Sequence, residues 1–72
     1  MKISQEALEV IEDLIDSAGG EFQACSQYEN EGICTECGHT QSGVEPDAMG
    51  YHCEECGESS VVGIETAIMM AR

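Results

Sequence analysis

Two Cys-x-x-Cys-Gly segments, CTECG at residues 34–38 and CEECG at residues 53–57, constrain the folding of this chain more than any other feature. Two residues between a pair of cysteines let both sulfurs of a tight turn reach one ion, and the glycine that follows accommodates a positive φ. Fifteen residues separate the inner cysteines, which matches the spacing of four-cysteine zinc sites. The pattern therefore predicts one structural Zn²⁺ ion with four ligands: Cys34, Cys37, Cys53 and Cys56.

The size of the chain also favours a metal. Its 72 residues form one domain, and chains of this size bury so little apolar surface that they are usually reinforced by disulfides, metal or a partner subunit. No segment is apolar enough for a signal peptide or a membrane span, so we expect a cytoplasmic protein whose thiols stay reduced. Five cysteines are an odd number for a disulfide framework, which again favours metal.

The first part of the chain has the pattern of an amphipathic helix over residues 4–18. Ser4 can cap this helix and Gly19-Gly20 can end it. Three acids lie near the C-terminal end, where the helix dipole disfavours negative charge: Glu12, Asp13 and Asp16. Folding alone does not require acids there, which suggests that they have another role.

A second, shorter helix is one interpretation of residues 21–31. Phe22, Cys25 and Tyr28 lie three residues apart, so they would form one buried stripe on such a helix. We expect residues 1–32 to be the helical N-terminal part of a single domain that spans 1–72.

The cysteine region, residues 33–63, is expected to form short antiparallel strands around two cysteine turns. The interval between the pairs is long enough for a hairpin that stacks one turn over the other, with Pro46 at its bend. The C-terminal segment, residues 64–72, is predicted to form a strand or a short helix. A helix is favoured because four apolar residues share one helical face: Ile64, Ala67, Ile68 and Ala71. The expected fold class is small α+β.

Through CTECG, CEECG and the hairpin expected between them, residues 33–63 resemble the four-cysteine zinc-ribbon family. The stretch CGHTQSGVEPDAMGYHCEECG is also similar to small uncharacterised zinc-ribbon proteins of tailed bacteriophages. The resemblance implies that the four cysteines are the metal ligands. Many ribbons have proline or basic residues around their turns, whereas this chain has Thr35-Glu36 and Glu54-Glu55, which disfavours contact with nucleic acid.

Other assignments of the metal site stay open from the sequence. His39 or His52 could replace a cysteine, and iron on the same four thiolates would give a rubredoxin-like electron carrier. Cys25 lies nine residues before the first pair and has no paired spacing, so we expect it to be a small buried residue.

Catalysis is not expected. Four thiolates leave no open position on zinc for a water molecule. The His-Cys-Glu at residues 52–54 matches part of the zinc-deaminase motif, but no Pro-Cys-x-x-Cys pair follows it. A thioredoxin-like use of Cys-x-x-Cys would need a βαβ setting, and none is visible.

The net charge of the chain indicates what kind of surface it binds. Fifteen Asp and Glu face two basic residues, Lys2 and Arg72, for a net charge of −13, and zinc held by four thiolates would make it more negative. Such a chain is repelled by phosphate backbones and anionic lipid and attracted to basic surfaces. We therefore expect a binding protein that docks on a basic protein surface and regulates or inhibits a nucleic-acid-handling machine, with carboxylates in place of phosphates. The candidate contact residues are Glu12, Asp13, Asp16, Glu36, Glu54 and Glu55.

Three alternatives accompany this hypothesis. The acids could serve only solubility. The chain could instead be a transcription-type ribbon that contacts RNA polymerase, although the absence of Lys and Arg between residues 3 and 71 disfavours direct binding of DNA or RNA. It could also be an assembly component, as a homodimer formed through the apolar face of residues 7–18 or through the AIMM tail, rather than a monomer.

Overall fold

A computed structural model describes residues 3–71, so Lys2 and Arg72, the two basic residues, lie outside the described part. The elements are, in order, α1 (Gln5–Ala18), α2 (Glu21–Gln27), β1 (Glu31–Cys34), β2 (Thr40–Ser42), β3 (Val61–Gly63) and α3 (Ile64–Ala71). This order confirms the expected α+β class, with helices first, a short antiparallel sheet next and a helix at the C-terminal end. Across residues 3–71, no helix is both long and apolar enough to cross a bilayer.

Helix α1 begins and ends where local sequence signals predict. Ser4 precedes it with an extended backbone, and the Ser4 Oγ accepts a hydrogen bond from the Ala7 N–H at 3.1 Å. Gly19 follows it with φ 94°, and its N–H donates to the Ile15 carbonyl at 3.0 Å. Ala7 and Ile11 are the buried residues of its inner face. The cap, the stop and the apolar spacing are all local, which explains why the sequence predicts this helix correctly.

Helix α2 forms, but the prediction that Phe22 belongs to its buried stripe is wrong. Ala24 is fully buried, whereas the Phe22 side chain is 85% exposed. Cys25 and Tyr28 are partly buried and pack against the core. Residues two apart on a helix point in nearly opposite directions, so the burial of Ala24 turns Phe22 to solvent. The small side chain of Ala24 lets this short helix approach the core closely.

The three strands form an antiparallel sheet in the order β2-β1-β3. In the central strand, Ile33 pairs with Thr40 of β2 and with Val62 of β3. Tyr51 adds one isolated bridge to Val61.

The hairpin expected between the two cysteine pairs does not form within the described residues. Instead, β2 follows the first pair and pairs back to β1, while Tyr51 precedes the second pair and pairs forward to Val61 at the start of β3. Each cysteine turn itself reverses the chain, so the nearest antiparallel partner lies across the same turn. The result is two hairpins, each with a cysteine pair at its tip.

The sheet separates two hydrophobic clusters. Successive side chains of a strand point to opposite faces, so neighbouring residues of β1 belong to different clusters. On one face Ile33 and Val62 pack against residues of the helices: Ile11, Ala24, Ile64, Ala67 and Ile68. On the other face Cys34 packs with Val44, Ala48, Cys53 and Val61. The cysteine turns therefore have a small apolar core of their own.

Helix α3 follows β3 directly and depends on a distant loop for its start. The Pro46 carbonyl accepts hydrogen bonds from the N–H groups of Glu65 and Thr66 at 3.0 and 3.2 Å. The Gly63 N–H donates to the Ala48 carbonyl at 3.0 Å. The loop around Pro46 thus both covers the sheet and satisfies the first N–H groups of the helix.

Candidate metal centre

The sheet brings the two cysteine turns to the same end of the molecule. We call residues 34–38 the first knuckle and residues 53–57 the second knuckle. The first knuckle follows β1 and the second precedes β3, and these two strands are antiparallel neighbours in which Cys34 pairs with Val61. Because β1 runs toward this end of the sheet and β3 runs away from it, the two turns lie side by side.

The two knuckles are closed by the same backbone hydrogen bonds. The Gly38 N–H donates to the Cys34 carbonyl and the Gly57 N–H donates to the Cys53 carbonyl, both at 3.0 Å. The N–H of each first cysteine donates to the carbonyl of the residue after the glycine, at 2.8 Å in both knuckles. Gly38 and Gly57 have φ values of 79° and 80°, a region that glycine adopts without strain. The role predicted for the two glycines is confirmed.

Backbone N–H groups point at the sulfur of the first cysteine in each knuckle. The N–H groups of Glu36 and Cys37 lie 3.4 Å from the Cys34 Sγ, and the Cys56 N–H lies 3.5 Å from the Cys53 Sγ. At Cys53 this donor favours the thiolate, which is the form that binds metal.

The four cysteine sulfurs form one cluster in which all lie within 4.8 Å of one another. Two distances across the knuckles, Cys34 Sγ to Cys56 Sγ and Cys37 Sγ to Cys53 Sγ, are both 3.6 Å. A zinc ion with Zn–S bonds of about 2.3 Å would hold tetrahedral sulfurs about 3.8 Å apart. The cluster has the composition and the size to hold one metal ion.

Burial differs among the four cysteines. Cys34 and Cys53 are fully buried, Cys37 is partly buried and Cys56 is exposed. An ion bound here would be covered on the side of the sheet and approachable from the side of Cys56.

The thiols of the cluster differ in pKa. A hydrogen bond from the Cys56 N–H, supported by the Glu55 N–H, outweighs burial and lowers the pKa of Cys53 to about 6. At Cys37 the His39 N–H acts to lower the pKa, but burial and contacts with the other sulfurs outweigh it and raise the pKa of Cys37 to about 12. One thiolate is therefore favoured at neutral pH, and further ionisation of the cluster needs a cation to balance the charge.

Two side chains outside the cysteine set connect the halves of the centre, and neither is predicted from the sequence. The buried Thr35 donates through its backbone N–H (2.9 Å) and its Oγ1 (3.2 Å) to the Ser60 carbonyl. Gln41 of β2 donates from Nε2 to the His52 carbonyl at 3.1 Å and accepts at Oε1 from the Glu54 N–H at 3.2 Å. Neither residue type has a spacing signal, so only the folded arrangement identifies them.

Within residues 3–71, the group of side chains close enough to hold a metal consists of the four cysteines and includes no histidine. His39 is partly buried and His52 is exposed. Cys25 lies apart from the cluster, partly buried against the helical core. Burial, together with the negative charges of Glu65 and Glu21, raises the pKa of Cys25, which keeps it a neutral thiol.

The six acidic residues predicted to contact a partner are all exposed: Glu12, Asp13, Asp16, Glu36, Glu54 and Glu55. The first three, which we call the helix acids, line a shallow depression of about 350 Å³ together with Ile15. The last three, the knuckle acids, lie on the two cysteine turns.

The helix acids and the knuckle acids form separate groups. The first knuckle contacts the start of α1, since the Ser4 N–H donates to the Thr35 carbonyl at 2.8 Å and a side chain on Gly38 would meet the Glu6 backbone at 3.3 Å. Glu12 lies six residues beyond Glu6, or about 9 Å further along the helix axis. A partner would need an extended basic surface to contact both groups.

Comparisons with protein-family models, curated proteins and solved structures found no match to this chain. The likeness to zinc ribbons therefore rests on the two knuckles and the four-sulfur cluster, and the likeness to bacteriophage proteins gains no support.

Proposed function

We propose that the four cysteines bind a single zinc ion that holds the two knuckles together and has no catalytic role. The observation that carries this proposal is the cluster of four sulfurs within 4.8 Å of one another. Four thiolates complete the preferred coordination of zinc, so no position is left for a reacting water molecule. The ion would supply folding free energy that this small core lacks, since structural zinc contributes about 10–16 kcal/mol in small domains.

Metal analysis of the purified protein tests the zinc proposal. We expect one zinc per chain after expression in medium that contains both zinc and iron, and no visible absorption from an iron–thiolate centre. Cys37→Ser should lose the metal, whereas the matched variant Cys25→Ser should retain it because Cys25 lies outside the cluster. A wild-type protein that holds iron would point to electron transfer, and one that holds no metal would refute the proposal.

We further propose that this is a non-enzymatic binding protein that docks on a basic protein surface and regulates or inhibits a nucleic-acid-handling machine. Its acidic side chains support this, because every Asp and Glu except the half-buried Glu31 is exposed. No Lys or Arg occurs in residues 3–71 to pair with them. Fifteen carboxylates against two basic residues create a negative potential like that of a phosphate backbone, and such a potential steers association with basic surfaces.

Competition with nucleic acid distinguishes mimicry from a simple solubility role. We expect the zinc-loaded protein to retain a nucleic-acid-binding protein from a lysate at low salt, to release it at high salt, and to release it when duplex DNA is added. Retention that is insensitive to salt and DNA, or the absence of any retained nucleic-acid-binding protein, would contradict mimicry.

Charge-neutral variants show which acids contact the partner. One variant replaces the helix acids by their amides and a second replaces the knuckle acids in the same way, so each loses the same number of charges. If one group forms the contact, the corresponding variant loses binding while the other keeps most of it. Equal small losses in both would indicate a diffuse electrostatic effect. Retention of RNA polymerase would support the transcription-type alternative.

A further inference from the structure

Gln41 makes a contact that no other side chain of the metal centre makes. It lies on β2, opposite Gly32 of β1, on the face of the sheet that carries the cysteine cluster. Its side-chain amide reaches across to the start of the second knuckle. Nε2 donates to the carbonyl of His52, the residue just before the knuckle, at 3.1 Å, and Oε1 accepts from the Glu54 N–H at 3.2 Å. Both bonds are to backbone groups.

These two backbone groups flank the ligand Cys53. In an extended segment the carbonyl of one residue and the N–H of the residue two positions later point to the same side, and the groups of the residue between them point to the other side. The N–H and carbonyl of Cys53 are used inside the knuckle, by the Glu58 carbonyl and the Gly57 N–H. Gln41 therefore bonds the two backbone groups that point away from the knuckle, as the peptide group of a neighbouring strand would.

The two knuckles differ in their need for such a contact. Cys34 belongs to the central strand β1, whose ladder with β2 and β3 fixes its backbone. Cys53 lies outside every strand. Among the described residues between β2 and Cys53, only Tyr51 pairs with the sheet, through its isolated bridge to Val61. Gln41 supplies the backbone support that the second knuckle lacks.

We propose that Gln41 is a positioning residue of the metal centre: its amide fixes the backbone around Cys53 so that the sulfur is held ready for the ion and the ion is released slowly. This inference rests on the proposed binding of metal by the four cysteines. Residues that orient metal ligands affect metal affinity when mutated, although they do not touch the ion.

Release of metal to a chelator measures the effect. Gln41→Ala should release zinc about tenfold faster than wild type, at the lower end of the effect of residues that orient ligands. The matched control is Thr40→Ala, which alters an exposed side chain of the same strand and should leave the rate unchanged. Cobalt-substituted protein gives a second readout: the cobalt–thiolate bands of Gln41→Ala should shift or broaden, because the Cys53 sulfur is less well fixed.

Gln41→Glu separates the two hydrogen bonds. A carboxylate can still accept from the Glu54 N–H but cannot donate to the His52 carbonyl. Amide hydrogen exchange at Glu54 should therefore be fast in Gln41→Ala and remain slow in Gln41→Glu, while zinc release is faster than wild type in both. Thr40→Glu adds the same charge one residue away and should not change release.

Three results would overturn the inference, and they differ in what they imply for the metal proposal. If wild type binds one metal per chain and Gln41→Ala matches Thr40→Ala in release rate and cobalt spectrum, Gln41 has no role in positioning and the metal proposal stands. A lower melting temperature with an unchanged cobalt spectrum and release rate would show that Gln41 is only structural. If wild type binds no metal, the proposed function fails and this inference fails with it.

Discussion

Gly63 shows how closely the loop around Pro46 packs on the sheet. A Cβ atom at this position would overlap the carbonyl groups of Glu45 and Pro46, which are backbone groups that cannot rotate away. In the same loop, the Pro46 carbonyl accepts hydrogen bonds from N–H groups in the first turn of α3. A side chain at Gly63 would therefore displace both the loop and the helix cap.

Gly63→Ala should destabilise the protein by about 3 kcal/mol, at the upper end of the cost of overpacking a core. Gly32→Ala is the comparison, because a Cβ there would meet side-chain atoms of Val44 and Val61 at 2.7 Å instead of backbone. We expect a smaller loss for Gly32→Ala, about 1–2 kcal/mol. Denaturant unfolding at a fixed zinc concentration measures both losses, and a Gly63→Ala protein as stable as wild type would show that the loop is not held as described.

The pKa values of the cysteines predict how metal binding depends on pH. The Cys56 N–H lowers the pKa of Cys53 to about 6, so this thiol is largely ionised at neutral pH. The pKa of Cys37 is raised to about 12, so metal must displace its proton. Metal competes with protons for these thiols, and the apparent affinity for zinc should therefore rise as the pH rises from about 6 to about 8. Competition with a chromophoric chelator measures the affinity, and an affinity that does not change over this range would contradict the assignment of thiol ligands.

At the scale of the secondary-structure elements, α1 combines favourable and unfavourable charges. Glu6 lies in its first turn, near the positive end of the helix dipole, while Asp16 lies in its last turn, where negative charge is disfavoured. Both side chains are exposed, so substitutions at these two positions can be compared directly.

We expect Asp16→Asn to stabilise the protein by about 0.3–1 kcal/mol and Glu6→Gln to destabilise it by a similar amount. Thermal unfolding at low ionic strength measures both changes. If Asp16 belongs to the partner surface, Asp16→Asn should also weaken partner binding, so that it gains stability and loses function. If both variants changed the stability by the same amount and in the same direction, the loss of one negative charge, rather than its position along the helix dipole, would explain the change.

The elements also show which parts of the fold can be predicted from sequence. The ends of α1, the two knuckles and the presence of α3 depend on residues within a few positions of one another, and these predictions are confirmed. Strand pairing depends on which segments the knuckles bring together, and there the expected hairpin was wrong. The exposure of Phe22 follows from the packing of Ala24, and the cap of α3 comes from Pro46, far earlier in the chain. Gln41 likewise acquires its contact only in the folded protein.

At the scale of the whole molecule, excess negative charge opposes folding. The net charge is −13, and the carboxylates are distributed over helices, loops and knuckles. Self-repulsion of this kind weakens when salt screens it, because the Debye length falls from about 30 Å at 0.01 M to about 3 Å at 1 M ionic strength. The stability of the zinc-loaded protein should therefore increase with salt while its affinity for a basic partner decreases. If stability and partner affinity changed in the same direction, the acids could not be the common cause.

The apolar faces of α1 and α3 pack together within one chain. Ile11 of α1 lies in the same buried cluster as Ile64, Ala67 and Ile68 of α3. Met69 of α3 is 72% exposed, on the other side of its helix. The apolar faces predicted to form a homodimer are thus largely buried within one chain. Measuring the molar mass at two protein concentrations would determine whether a dimer also forms.

We infer that metal held by the four cysteines keeps the knuckle end of this protein folded. The most direct test is the ¹H–¹⁵N correlation spectrum of the zinc-loaded protein, recorded before and after a strong chelator removes the metal. We predict that the amide signals of residues 33–63 lose their dispersion on chelation and regain it when zinc is restored. Native dispersion in protein confirmed to be free of metal would contradict the claim.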